Sequence, residues 1–326
     1  MSRATLERHQ VWLYAAAILA GLGTGVLVPS AAALFEVLLW PALGLLLYAT
    51  FSQIPLVHLL DAARDVRFLG ALLIGNFLLV PAIVGALLPI LPDDPAIRLG
   101  VLLVLLVPCT DWFVTFTHLA GGDTRRAVIA TPLLLLVQLV LLPVYLWLFS
   151  GSSFVEILAA DRIATVFAAI VLAPLAAAWF TERWAERRGA RGRVVERLAW
   201  LPVPLLALVV FLIAASQVHA VLGTAAAMGR VAALFLLYLV AAALAGVGLA
   251  RVAGLPAPAA RALVFSLGTR NSFVVLPLAL ALPAAWQAAT VVIVLQSLVE
   301  LFGMLVYLRL VPRLLPTAAA APRARA

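Results

Sequence analysis

Lysine is absent from this chain, cysteine occurs once, and charge of either sign is scarce: 11% of the 326 residues are charged and 66% are hydrophobic. A soluble domain carries about 25% charged residues, so a water-soluble globular protein is excluded. Without lysine there is no phosphate-cradling glycine loop ending in Gly-Lys, and ATP-driven pumping by this polypeptide is not expected. The histidines, His9, His58, His118 and His219, have no metal-ligand spacing and form no His-Glu-x-x-His pair. No bound metal and no cofactor are therefore expected. No histidine lies at the depth of Cys109 to act as a base, so the chain is not read as an enzyme. A single cysteine also permits no internal disulfide. Alternating strand-like polarity is lacking, which excludes a β-barrel.

What remains is apolar blocks, with a mean hydropathy of +1.17. They run for roughly 18 to 25 residues, the length an α-helix needs to cross a bilayer core of about 30 Å. Ten spans are expected, near 11–28, 31–52, 68–91, 97–120, 127–149, 162–182, 198–218, 229–250, 261–282 and 286–310. The first has no clear cleavage site, so it is read as a retained span. All 22 basic residues are arginine, and the formal net charge is +8. With the N-terminus in the cytoplasm, eighteen arginines fall inside and only Arg98, Arg162 and Arg230 outside. That satisfies the positive-inside rule with both termini cytoplasmic, in a multi-pass protein of the plasma (inner) membrane. The basic excess thus reports topology, and nucleic acid is discounted as a partner.

The charged segment 183–197, "RWAERRGARGRVVER", divides the spans five and five. Residues 1–182 then form one five-helix repeat, 183–197 a cytoplasmic linker, and 198–326 a second repeat with a short tail. Five is odd, so a duplicated half must be inverted, a layout that places substrate at the repeat interface on helices broken there. The fold expected is an all-α integral membrane protein with helices four and nine broken and crossing. Span four carries Pro108, Cys109, Thr110 and Asp111; span nine carries Gly268, Thr269, Arg270, Asn271 and Ser272. Proline and glycine loosen the helical ladder and leave polar side chains a cavity to work in.

Asp111, Arg270 and Glu300 are the deep ionisable residues. A charge at mid-membrane costs between about 2.5 and 10 kcal/mol or more, so such residues face the interior, as structural pairs or as parts of a pathway. Gln296 and Glu300 share one face of span ten. Asn76 with Pro81, and Gln138 with Pro143, either line the same cavity or tie helices together. Cys109 taken alone reads equally as a small packing residue.

The stretches "GNFLLVP" (75–81), "GVLLVLLVPCTDWFVTFTHLAGGD" (100–123) and "GTRNSFVVLPLAL" (268–280) resemble the bile acid/sodium symporter superfamily. Within it they most resemble the arsenite efflux permeases of the arsenical-resistance family. The resemblance covers nearly the whole chain and is best from 70 to 150. It implies two inverted repeats, and it carries a role in handling trivalent arsenic onto Cys109, consistent with the preference of soft thiolates for thiophilic centres. Two departures stand out. Where those permeases follow Asn-x-Phe with glutamate, this chain has Val274. Where sodium-coupled relatives carry an acid and a glutamine around the helix-nine glycine, it has Ser266 and Arg270. A fixed cation there argues against sodium, since two unit charges about 4 Å apart repel by about 4 kcal/mol at an effective dielectric near 20.

These readings lead to an expected exporter of arsenite, or antimonite, coupled to protons. Cys109, Thr110, Asn271, Ser272 and Asn76 would contact substrate, and Asp111, Arg270 and Glu300 would carry the coupling, Asp111 pairing with Arg270 across the crossing. The alternative is a superfamily-like carrier of an organic anion bound by Arg270. A scaffold or sensor that binds without transport is disfavoured by the short loops.

Overall fold

The computed structural model describes residues 3–54, 65–150, 165–166, 168–189 and 191–317. His58, Arg64, Arg162, the start of the expected sixth span (162–164) and the tail 318–326 lie outside the described residues. Within them the regular structure is helical, with one isolated antiparallel bridge.

In chain order the helices are α1 (Arg3–Leu27), α2 (Ala32–Phe51), α3 (Val66–Ile74), α4 (Val80–Leu87), α5 (Pro95–Leu105), α6 (Trp112–Leu119) and α7 (Thr124–Ser150). Then follow α8 (Ala173–Arg187), α9 (Arg191–Leu198), α10 (Pro202–Ser216), α11 (Val218–Val252), α12 (Ala257–Gly268), α13 (Ser272–Ala281) and α14 (Ala288–Leu314). A π-helical turn, Gly75–Leu79, joins α3 to α4. Among the described residues, six helical stretches are long and apolar enough to cross a membrane: Pro29–Phe51, Val66–Ile90, Thr124–Phe149, Gly192–Ser216, Ala226–Val252 and Ala284–Leu314. Shorter apolar helices are Trp12–Leu27, Pro95–Leu105, Ala257–Gly268 and Ser272–Ala281.

Local chemistry sets the boundaries. The Asp65 carboxylate accepts from Phe68 N at 3.1 Å and opens α3; Asp94 does the same for Ala96 and Ile97 ahead of Pro95 in α5. Each satisfies orphan N–H groups of a first turn. The π turn has its cause in Pro81, which has no N–H for the carbonyl of Phe77 four residues back. The Tyr145 hydroxyl donates to that carbonyl instead, at 2.6 Å.

One expectation needs correction. The segment 183–197, read as a linker loop, is helical over most of its length: α8 runs on to Arg187 and α9 begins at Arg191. Its arginines and glutamates are good helix formers, and the chain turns at Gly189, whose φ of 61° suits glycine. Likewise α11 begins at Val218 rather than near 229.

Helices α1, α2, α8 and α10 pack chiefly on one another and form one bundle. The remaining long helices form a second, in which α14 packs on α5 and α11, and α12 on α11. Large apolar side chains such as Leu19, Val37, Val140 and Leu244 stay exposed on the outer faces of both, as a lipid solvent allows.

The two short pairs α5/α6 and α12/α13 are fastened to each other at one end of the second bundle. Arg261 donates through Nη1 to the carbonyls of Ala120 (2.9 Å) and Gly121 (3.2 Å), and through Nε to Leu315 O (3.0 Å). These are the C-terminal carbonyls of α6 and α14, the negative poles of their helices. Asp123 N donates to Pro258 O at 2.9 Å, and Arg126 bridges Asp65 (2.6 Å) and Asp123 (3.0 Å) at the same end.

Candidate functional site

The breaks at 106–111 and 269–271 face each other. Cys109 N donates to Thr269 O at 3.2 Å and Asn271 N to Val107 O at 2.8 Å, making the antiparallel bridge Pro108 to Arg270. Unwound backbone in an apolar interior must find partners, and each break supplies those of the other. Pro108 disfavours a helical Val107 and brings no N–H of its own to satisfy. Three residues after Pro108 comes Asp111, the N-cap of α6, and three after Gly268 comes Asn271, the N-cap of α13. The Asn271 side chain accepts from Val274 N at 3.3 Å. Gly268 allows close approach of α14, since a Cβ there would lie 2.6 Å from Tyr307 Cε2.

Arg270 is 1% exposed, and its guanidinium is held by oxygens from three segments. Nη2 donates to Ser266 O (2.5 Å), Leu267 O (3.1 Å) and Asn76 Oδ1 (2.8 Å), and Nη1 to Leu105 O (3.4 Å). Three of these are carbonyls at the C-terminal ends of α12 and α5, where helix dipoles gather partial negative charge. The fourth comes from the π turn, whose Asn76 also donates to Leu72 O and Ser266 Oγ. Tyr238 completes the surround, with its ring centroid 5.9 Å from Cζ and its hydroxyl on Leu267 O.

Glu300 enters from α14. Its Oε2 accepts from Arg270 N (2.8 Å) and Gln296 Nε2 (2.6 Å), and Gln296 Oε1 accepts from Ser272 Oγ (2.7 Å). Glu300 Oε1 and Arg270 Nε are buried with no hydrogen-bond partner. Cys109 and Thr110 are each 3% exposed.

Asp111 borders a cavity, an open cleft between the two bundles, with Gln10, Tyr14, Thr50, Gln53, Thr115 and Phe273 among its neighbours. Water has about 30 Å³ to occupy there. Trp112 forms the inner wall, 5.7 Å from Phe273 edge to face and 6.5 Å from Tyr14.

The structure therefore brings Asn76, Arg270, Glu300 and Ser272 into one bonded network and joins Cys109 and Asn271 to it through the bridge, with Thr110 buried inside the first break. It does not form the expected ion pair of Asp111 with Arg270. The helix-end carbonyls lie closer along the arginine's own chain, and they neutralise it without a second charge. A carboxylate does reach the break in the 268–280 segment, from Glu300 on α14 through the main chain of Arg270. Sequence reasoning missed Tyr238 and the cleft aromatics Tyr14, Trp112 and Phe273; aromatic residues are too common in membrane helices to stand out. Nε and one hydrogen of Nη1 are the guanidinium donors left without an acceptor among the described residues.

The family model described as the Sodium Bile acid symporter family matches residues 40–224, more than half of the chain. No curated protein matches it.

Proposed function

The chain belongs to the sodium bile acid symporter family, whose members are membrane transporters, and from that premise we propose that it exports trivalent arsenic, as arsenite or antimonite, in exchange for protons. It does so from the plasma (inner) membrane, with both termini in the cytoplasm and ten spans in two inverted repeats. The matched offsets Pro108 to Asp111 and Gly268 to Asn271 support the repeat, as does the phenylalanine that follows two residues later in each, Phe113 and Phe273. Gln10 and Gln53 line the cleft, and on the reading of the arginine distribution they lie toward the cytoplasm.

The observation that carries the reading is the position of Cys109, the one thiol, at the crossing of the two broken helices. Thiol and arsenous acid exchange by condensation: the sulfur forms one S–As bond, one arsenic-bound hydroxyl leaves as water with the thiol proton, and water reverses the step. A single S–As bond can release its cargo, as a carrier requires. Thr110, Asn76, Asn271 and Ser272 supply polar contacts around that position. Asp111 meets protons in the cleft, and Glu300 is the second carboxylate in reach, its Oε1 free to take a proton beside the fixed charge of Arg270. Rocking of one bundle against the other opens the site to alternate sides.

Arsenite accumulation is measured in cells lacking their own arsenic exporters, with the native chain and Cys109→Ser at equal expression. Lower accumulation with the native chain alone is expected. If neither lowers it, arsenic is the wrong cargo and organic anions are tried next.

A further inference from the structure

Four oxygens converge on the Arg270 guanidinium: Leu105 O at the end of α5, Ser266 O and Leu267 O at the end of α12, and Asn76 Oδ1 from the π turn. Carbonyl and carboxamide oxygens gathered at the C-terminal ends of broken helices are the ligand set with which transporters hold a free alkali cation. Among the described residues no carboxylate bonds the Arg270 guanidinium itself: its side-chain bonds go to dipoles, and Glu300, beside it, bonds the main-chain N–H. The arrangement suits a cation of unit charge, and the chain supplies one itself. A sodium ion does not fit beside it, because the same oxygens are already donated to and the two charges repel.

We infer that Arg270 is a tethered cation filling the position a coupling sodium would take, so that the carrier has an internal, permanently bound substitute for that ion and works without sodium. The cation then cannot be released to the other side, and the driving gradient must enter elsewhere, at Asp111 or Glu300. This deepens the proton-coupled reading and rests on it for the coupling step only. The test uses no transport substrate, so arsenic can be the wrong cargo while this inference stands, and the reverse.

Removing the side chain should leave an oxygen-lined vacancy that a small cation fills, and binding to the folded form raises the unfolding midpoint. The full chain is purified in detergent, and thermal unfolding is followed by tryptophan fluorescence in choline chloride, in sodium chloride at equal ionic strength, and in choline with millimolar guanidinium. The native midpoint should be the same in all three. Arg270→Ala should unfold several degrees lower in choline and regain at least half of that loss with guanidinium or sodium, while Arg270→Lys, which keeps the charge, should respond to neither. A native midpoint that rises in sodium overturns the inference, as does a folded Arg270→Ala that responds to neither cation. If the alanine variant does not fold, the native chain and Arg270→Lys decide: sodium stabilisation of either overturns the inference, and indifference of both supports it.

Discussion

The main-chain N–H of Arg270 donates to Glu300 Oε2 at 2.8 Å, tying the break in span nine to the middle of α14. A backbone donor in unwound, buried chain thereby gains a charged acceptor, and the carboxylate gains a position it holds through geometry rather than through its own helix. Glu300→Gln keeps an oxygen for that N–H and should preserve folding while abolishing uphill transport. Glu300→Ala leaves the N–H and Gln296 without their acceptor and should cost about 1 to 3 kcal/mol as well. Transport in vesicles, with thermal unfolding of both variants, separates the two effects; full uphill transport by Glu300→Gln removes the residue from the coupling step.

Asn76 bonds a buried cation, a side chain and a main-chain carbonyl at once. Asn76→Ala should destabilise the chain by about 1.5 to 3 kcal/mol, the range for a hydrogen bond to a charged group. Chemical or thermal unfolding against the native chain measures it, and a loss well under 1 kcal/mol would mean that the carbonyls alone suffice for Arg270.

Tyr145→Phe removes the hydroxyl that reaches the Phe77 carbonyl orphaned by Pro81. An unsatisfied buried acceptor costs about 1 to 3 kcal/mol. Restoring the N–H with Pro81→Ala in the Tyr145→Phe background should recover part of the loss in an unfolding experiment; no recovery would show that the proline is not what orphans the carbonyl.

Gly268→Ala places a Cβ 2.6 Å from Tyr307 Cε2 and 3.2 Å from Met304 Cε. Tyr307 cannot swing aside freely, because its hydroxyl donates to Leu239 O. Overpacking of this kind costs about 1 to 3 kcal/mol, and Tyr307→Leu should relieve it in the double variant. An additive double variant would speak against the clash.

Asp65 lies outside the spans, and the N–H of Phe68, followed by Arg126, holds its carboxyl below the usual carboxylate range. A folded-state value below the unfolded one, about 3.9, contributes stability above that pH and loses it as pH falls through the lowered value. Asp65→Asn keeps the N-cap and deletes the charge. The native chain should have the higher unfolding midpoint at neutral pH, and the two should converge in acid. The carboxylate is 37% exposed, so solvent screens it and the gap should be small.

The all-helical, apolar character and both breaks could be read from the chain because hydropathy, proline, glycine and N-cap residues act locally: Pro108 with Asp111, and Gly268 with Asn271, mark their own interruptions. The partners of Arg270 could not be read. Sequence gives a residue's depth but not its bearing around the helix, and three of the four oxygens that hold Arg270 are main-chain carbonyls, which every residue carries. A charge at 111 and one at 270 looked like a pair because side chains are all that a sequence displays. The helical course of 183–197 was missed for a related reason, since high charge marks exposure and says little about backbone.

Arg261 fastens the far ends of α6 and α14 as the bridge at Pro108 and Arg270 fastens the middle. Two bars pinned at one point can scissor; pinned at two, they cannot. The crossed pair has thus lost its internal angle as a degree of freedom, and any stroke that widens the cleft is taken up at the joints between bundles, of which Ser216 to Val218 is one whose course is described.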